Sequence, residues 1–138
     1  MIAGLLAARC SDRDETVRRA SLQQLTSLRI TNLVDVMLAP VERSLDDESP
    51  AVRAAAVLAV LKIATLTDAS FDVERLWTRV NTMLHSDPST EVVHACVAVK
   101  LQREDEAAVV KDTQLVEDLM LQLRVRCCFY VCVFAVED

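Results

Sequence analysis

Apolar positions recur along this chain at helical spacing. Val52, Ala55, Ala56, Ala59, Val60 and Ile63 fall at i, i+3, i+4, i+7, i+8 and i+11, which places them on one face of an α-helix. Ser49 stands where an N-cap belongs, and Pro50 takes the first helical position, where a missing N–H costs nothing. Val57, Leu58 and Leu61 make the other side apolar too, and the two charges, Arg53 and Lys62, lie far apart around the helix. Such a helix has no polar face and must be covered on several sides. Val34, Leu38, Val41 and Leu45 trace a stripe on the segment before it, which Pro40 should kink or divide. Val73, Leu76, Trp77, Val80 and Leu84 trace a further stripe, and Val92, Ala95, Cys96 and Val99 open another. The pattern predicts an opening helix near residues 2–10 and helices at about 15–28, 32–45, 50–66, 72–85 and 89–102.

The helices repeat in pairs. Asp12-Arg-Asp-Glu-Thr-Val17-Arg18-Arg-Ala20 recurs as Asp47-Glu-Ser-Pro-Ala-Val52-Arg53-Ala-Ala55 and, more loosely, as Asp87-Pro-Ser-Thr-Glu-Val92-Val93-His-Ala95. The shared frame is Asp-x4-Val-x2-Ala, with its valines 35 and then 40 residues apart. A period of that length suits a two-helix unit stacked into a solenoid, with the aspartates in the turns.

Composition agrees with an all-α chain. One glycine and three prolines in 138 residues are too few for the many tight turns of a β-sandwich or barrel. Fifteen basic against twenty-one acidic residues give a net charge of −6, the wrong sign for a chain that binds by neutralising phosphates, so nucleic acid is not an expected partner. Five cysteines (Cys10, Cys96, Cys127, Cys128 and Cys132) include no CxxC pair and form an odd set, which suits a reducing compartment. Met1 to Ala8 lacks the basic start of a signal peptide. The longest apolar run, Cys127 to Val136, is ten residues, against the roughly 20 needed to span a bilayer.

Beyond Leu101 the repeat frame is lost. Gln102 to Glu106 is a charged connector, Gln114 to Arg124 has the pattern of one more helix, and Val125 to Val136 is rich in β-branched and aromatic residues that suit either a strand or a buried final helix. The expected organisation is a repeat segment at 1–102 and an extension at 103–138.

Several stretches carry a closer likeness. Cys10-Ser-Asp-Arg-Asp-Glu-Thr-Val-Arg-Arg, Ser27-Leu-Arg-Ile30, Ala39-Pro40-Val-Glu-Arg-Ser-Leu45, Asp46-Asp-Glu-Ser-Pro-Ala-Val-Arg53 and Asp87-Pro-Ser-Thr-Glu-Val-Val93 together resemble the β-adaptin trunk of clathrin-associated adaptor complexes, over about residues 2–101. This is a family of HEAT/ARM-type α-solenoids, right-handed superhelices of antiparallel helix pairs, and the likeness implies about three repeats here. It further implies a scaffold in vesicle-mediated protein transport, in the cytoplasm and peripheral on coated vesicles or Golgi and endosomal membranes. The expected partners are the large, medium and small chains of an adaptor complex, with membranes reached only through that complex. The family's basic N-terminal region, clathrin-binding hinge and ear have no counterpart in these residues. The alternative is a general HEAT scaffold, such as a phosphatase-scaffold or transport-receptor segment, in which similarity would be confined to the turns.

The candidate residues are structural. Asp12, Arg18, Asp47, Arg53 and Asp87 recur with the repeat and suggest a ladder of turn carboxylates bonded to neighbouring arginines and helix N-termini, ending where Val93 replaces arginine. His85, His94, Cys96 and Asp87 are too sparse for a tetrahedral metal site. The apolar neighbours of Cys127, Cys128 and Cys132 favour inert, packed thiols. Arg9, Arg13, Arg18 and Arg19 invite an anionic lipid headgroup, but Asp12, Asp14 and Glu15 nearly cancel them. No phosphate-binding loop, dinucleotide fingerprint or hydrolase motif is present, so neither enzyme activity nor a cofactor is expected. Apolar ends, at Met1 to Ala8 and in the tail, should promote self-association of the array.

Overall fold

Where the turn motif recurs, the chain reverses. The computed structural model describes residues 1–30, 32–67 and 71–103, and they form six α-helices with no strand among them: α1 (Ile2–Arg9), α2 (Glu15–Ser27), α3 (Leu33–Ser44), α4 (Pro50–Leu66), α5 (Phe71–Ser86) and α6 (Thr90–Arg103). Each pair, α1 with α2, α3 with α4 and α5 with α6, packs together, and the second helices stack in the order α2, α4, α6. Of the first helices, α1 packs against α3. The result is a HEAT/ARM-like solenoid of a few repeats. Among the described residues no helix is long and apolar enough to cross a membrane.

The core is a continuous seam between the pairs. Val52, Ala54, Ala55, Ala56, Val57, Ala59, Val60 and Ile63 of α4 are all buried, as expected of a helix covered on several sides, although Leu58 stays half exposed. Small alanines on α4 let its two neighbouring second helices approach closely while valines and Ile63 fill the remaining space. Val73, Leu76, Trp77, Val80 and Leu84 of α5 are buried along the expected stripe, and α6 adds Val92, Val93, Cys96 and Val99.

The division expected at Pro40 does not occur, and the expected stripe on α3 holds only in part. The helix runs undivided through Pro40, because Pro40 is itself buried and the residues past it, Val41, Ser44 and Leu45, are held in the core. Pro40 has no N–H to supply the i→i−4 bond at this position. Of the expected stripe, Val41 and Leu45 are buried, whereas Val34 and Leu38 are only partly covered and Leu33, Met37, Pro40 and Ser44 complete the inward face. At the start of α4, Ser49 is the N-cap residue as expected, yet its side chain makes no capping bond; its backbone N–H donates to Asp47 instead. The expected helix at 114–124, the apolar tail at 125–136 and Cys127, Cys128 and Cys132 lie outside the described residues.

Candidate functional site

Three turns of like geometry line one edge of the array. In each, the aspartate that opens the repeat motif accepts a hydrogen bond from the backbone N–H two residues on: Asp14 to Asp12 at 3.0 Å, Ser49 to Asp47 at 2.9 Å and Ser89 to Asp87 at 2.9 Å. This Asx-turn is what an aspartate before a helix does most readily, and it explains why the motif begins with that residue. In the first turn Asp14 then caps α2, accepting from the Thr16 N–H at 2.8 Å.

The arginine six residues further on points into the next repeat. Arg18 on α2 donates to Asp47 through Nε and Nη2, both at 2.8 Å, and Arg53 on α4 donates to Asp87 through Nε at 2.9 Å and Nη2 at 3.1 Å. Both are fork-on-fork pairs, the strongest geometry a guanidinium and a carboxylate adopt. Each arginine also reaches back with Nη1 to two carbonyls of its own turn, Asp12 and Arg13 for Arg18, Asp47 and Glu48 for Arg53. One side chain thereby ties two successive turns together. Little water reaches them: the side chains are 9 % and 11 % exposed in the Arg18–Asp47 pair and 14 % and 7 % in the Arg53–Asp87 pair.

The electrostatics follow from that geometry. Burial works against ionisation of Asp47, but the Arg18 hydrogen bond, the Ser49 N–H and the charges of Arg18 and Arg53 hold its carboxyl below the ordinary value of 3.8. Asp12 is also lowered, first by the Asp14 N–H and then by Arg9. The guanidinium of Arg18 is raised, chiefly by its bond to Asp47. Val93 takes the arginine position in the third repeat and is buried. Cys96, two residues past His94, sits in the core, where burial and then the Asp87 charge push its thiol up to about 12. His85 and His94 are exposed, and no group of three or more His, Cys, Asp or Glu residues able to hold a metal ion occurs among the described residues.

A second set of ion pairs escapes a reading based on the motif alone. Arg75 and Arg79 of α5 pair with Glu42 of α3 and with Asp46 just past its end, each 33 residues upstream. The equal offset is the sequence signal that could have found them. These side chains are half exposed, so each pair contributes little by itself. Arg103 lies 4.3 Å from the centre of the Trp77 ring and bonds Glu74 at 2.9 Å, closing one end of the α5–α6 pair. Between the second and third turns a groove of about 420 Å³ is lined by Asp46, Asp47, Arg53, Arg79, Ser86 and Asp87 among others. Its charged groups already satisfy one another, and the geometry suits holding helices in place better than bond making.

Comparisons with known proteins agree with this architecture. Residues 16–124 match the family model of the non-SMC mitotic condensation complex subunit 1. The chain is 36 % identical over 94 residues to beta-adaptin-like protein A of Arabidopsis thaliana, which covers 64 % of this chain and 11 % of that protein. It is 29 % identical over 87 residues to the AP-3 complex subunit beta of Dictyostelium discoideum, covering 63 % of this chain and 8 % of that one. The chain thus spans only a small part of the length of these relatives. No solved structure matches it significantly.

Proposed function

The chain belongs to the non-SMC mitotic condensation complex subunit 1 family, and we propose, from its homology to β-adaptin-like and AP-3 β proteins, that it is a scaffold segment of a coat adaptor complex β subunit. The observation that carries this reading is the 36 % identity to a β-adaptin-like protein over 94 residues, 64 % of the chain. Fold and relatives both point to a non-catalytic scaffold.

The role of the solenoid is to present surface at fixed spacing. Arg18 and Arg53 tie successive turns together, so partners would meet surface presented at the repeat spacing. The partners are other adaptor chains, large, medium and small, and the segment reaches coated vesicle, Golgi or endosomal membranes from the cytoplasm through that complex. A second reading, a scaffold for condensation-type assemblies, is favoured by the family match over residues 16–124.

The test is affinity capture of the tagged full chain from its own cells, with the bound chains identified. Recovery of adaptor medium, small or large subunits supports the proposal. Recovery of condensation-complex subunits, with no adaptor chain, transfers the assignment to the second reading, and a phosphatase catalytic subunit or transport cargo alone would make it a general scaffold.

A further inference from the structure

The residue just ahead of each motif aspartate keeps the same register: Ser11, Asp46 and Ser86. All three are exposed, so the position faces solvent in the later repeats, which have a repeat before them, as it does in the first. In the second repeat it is an acid, and Asp46 pairs across the repeat boundary with Arg79 of α5. In the third, the Ser86 hydroxyl is taken up by its own helix, donating to the Thr82 carbonyl at 2.7 Å. Ser11 stands in the turn after α1, and its hydroxyl makes no hydrogen bond among the described residues.

At the first boundary the cationic half of such a pair is already in place. Arg79 corresponds to Ala39, 40 residues earlier, and both boundaries carry the same turn-to-turn fork, so Ser11 stands level with Ala39 as Asp46 does with Arg79. The Arg43 side chain folds back along α3 to that level, its Nε donating to the Ala39 carbonyl at 3.4 Å, as helical side chains lean toward the N-terminus. The neighbouring thiol senses it: burial raises Cys10, and the Arg43 charge pulls the other way. Arg43 is exposed and has no carboxylate partner among the described residues. What this boundary lacks is the anion.

The residues after Ser11 suit an enzyme that would add one. Asp12, Asp14 and Glu15 stand one, three and four positions past it, with Arg13 between, an acidic run complementary to a protein kinase whose peptide groove is basic. Ser44 precedes a similar run, Asp46, Asp47 and Glu48, but is buried and out of an enzyme's reach. We infer that Ser11 is a phosphorylation site for an acid-directed serine kinase, and that its phosphate joins the α1–α2 turn to Arg43 as Asp46 joins the next turn to Arg79. Ser11 Oγ attacks the γ-phosphorus of ATP and the bond to the β–γ bridging oxygen breaks. ADP leaves with that electron pair, and the hydroxyl proton passes to the kinase's catalytic carboxylate. The product carries roughly two negative charges at neutral pH, enough to hold a guanidinium. This inference concerns one turn and stands whether or not the segment serves a coat complex.

The test treats the full chain with an acid-directed serine kinase and ATP and locates the phosphate by peptide-resolved mass spectrometry. Phosphate should appear on Ser11, and Glu15→Gln, alone or with Asp14→Asn, which keeps a capping side chain, should slow its arrival by about tenfold or more. At low salt the thermal midpoint of the phosphorylated chain should rise by roughly 2–4 °C, and Arg43→Met should erase that rise without changing the rate of phosphorylation. A chain synthesised with phosphoserine at position 11 gives the same comparison without the kinase. The site is overturned if Ser11 stays unmodified or if both acidic variants react as fast as the parent. The clasp to Arg43 is overturned if the phosphorylated chain gains nothing, or gains as much with methionine at that position.

Discussion

Helices α1 and α4 are both apolar with almost no charge, and their fates differ. In α4 eight apolar side chains are buried, although Leu58 and Leu66 are about half exposed, while in α1 only Ala3 is buried and Ile2 and Leu5 stand in solvent. Composition therefore does not decide burial in this fold; the number of neighbouring pairs does. A repeat array is held together by contacts to the units on either side, and an end unit forfeits one set of them. The charged turns repeat the lesson, because the motif aspartate Asp47 receives a buried fork-on-fork pair from Arg18 whereas Asp12 receives a lone exposed bond from Arg9.

The largest expected effect contrasts counterpart positions on two first helices. Met37→Ala removes a fully buried side chain and should cost about 2–5 kcal/mol in urea unfolding. Ile2→Ala, at the same register on α1, should stay within about 0.5 kcal/mol. Equal costs would break the comparison, because α1 would then be covered like α3.

Next in size is the rung itself. Arg53→Met leaves the Asp87 carboxylate and two turn carbonyls without their donor, and should lower stability by roughly 1–3 kcal/mol. Arg9→Met, at the open turn, should leave the unfolding midpoint nearly unmoved, since its pair with Asp12 is exposed.

Acid should act more gently. Asp12 and Asp47 are held below the ordinary carboxylate value of 3.8, so the native chain binds these protons more weakly than the unfolded one. Their contribution to stability is complete above that value and is lost as pH falls through it toward their lower native values. An acid titration of the unfolding midpoint should show the fall, and Asp47→Asn should flatten it.

The smallest expected signal is a null. With its thiol pushed up to about 12 by burial and by Asp87, Cys96 should resist alkylation at pH 8 in the folded chain and react once urea unfolds it. Peptide-resolved mass spectrometry reads this directly, and rapid native labelling of Cys96 would show that the α6 seam opens.

The helices were legible in the sequence because the apolar period of α4 and α5 is regular and each turn begins with aspartate. On α3 the later stripe positions, Val41 and Leu45, were legible, but the earlier two were misplaced by one residue, since Val34 and Leu38 satisfy helical spacing as well as Leu33 and Met37 do, and only the packing partners choose between them. The aspartates and arginines were visible as a repeating set. Their connectivity was not, because which carboxylate an arginine reaches depends on how one repeat is rotated against the next. The Arg75–Glu42 and Arg79–Asp46 pairs lay hidden for the same reason: they join first helices across a repeat, where no local motif marks them.

Native-state hydrogen exchange resolved by helix tests most directly the claim that position in the array, and not composition, sets local stability. Amides of α4 should exchange only through global unfolding, and those of α1 about a hundredfold faster, through fraying of an end with one neighbour missing. Protection of α1 equal to that of α4 would contradict the account.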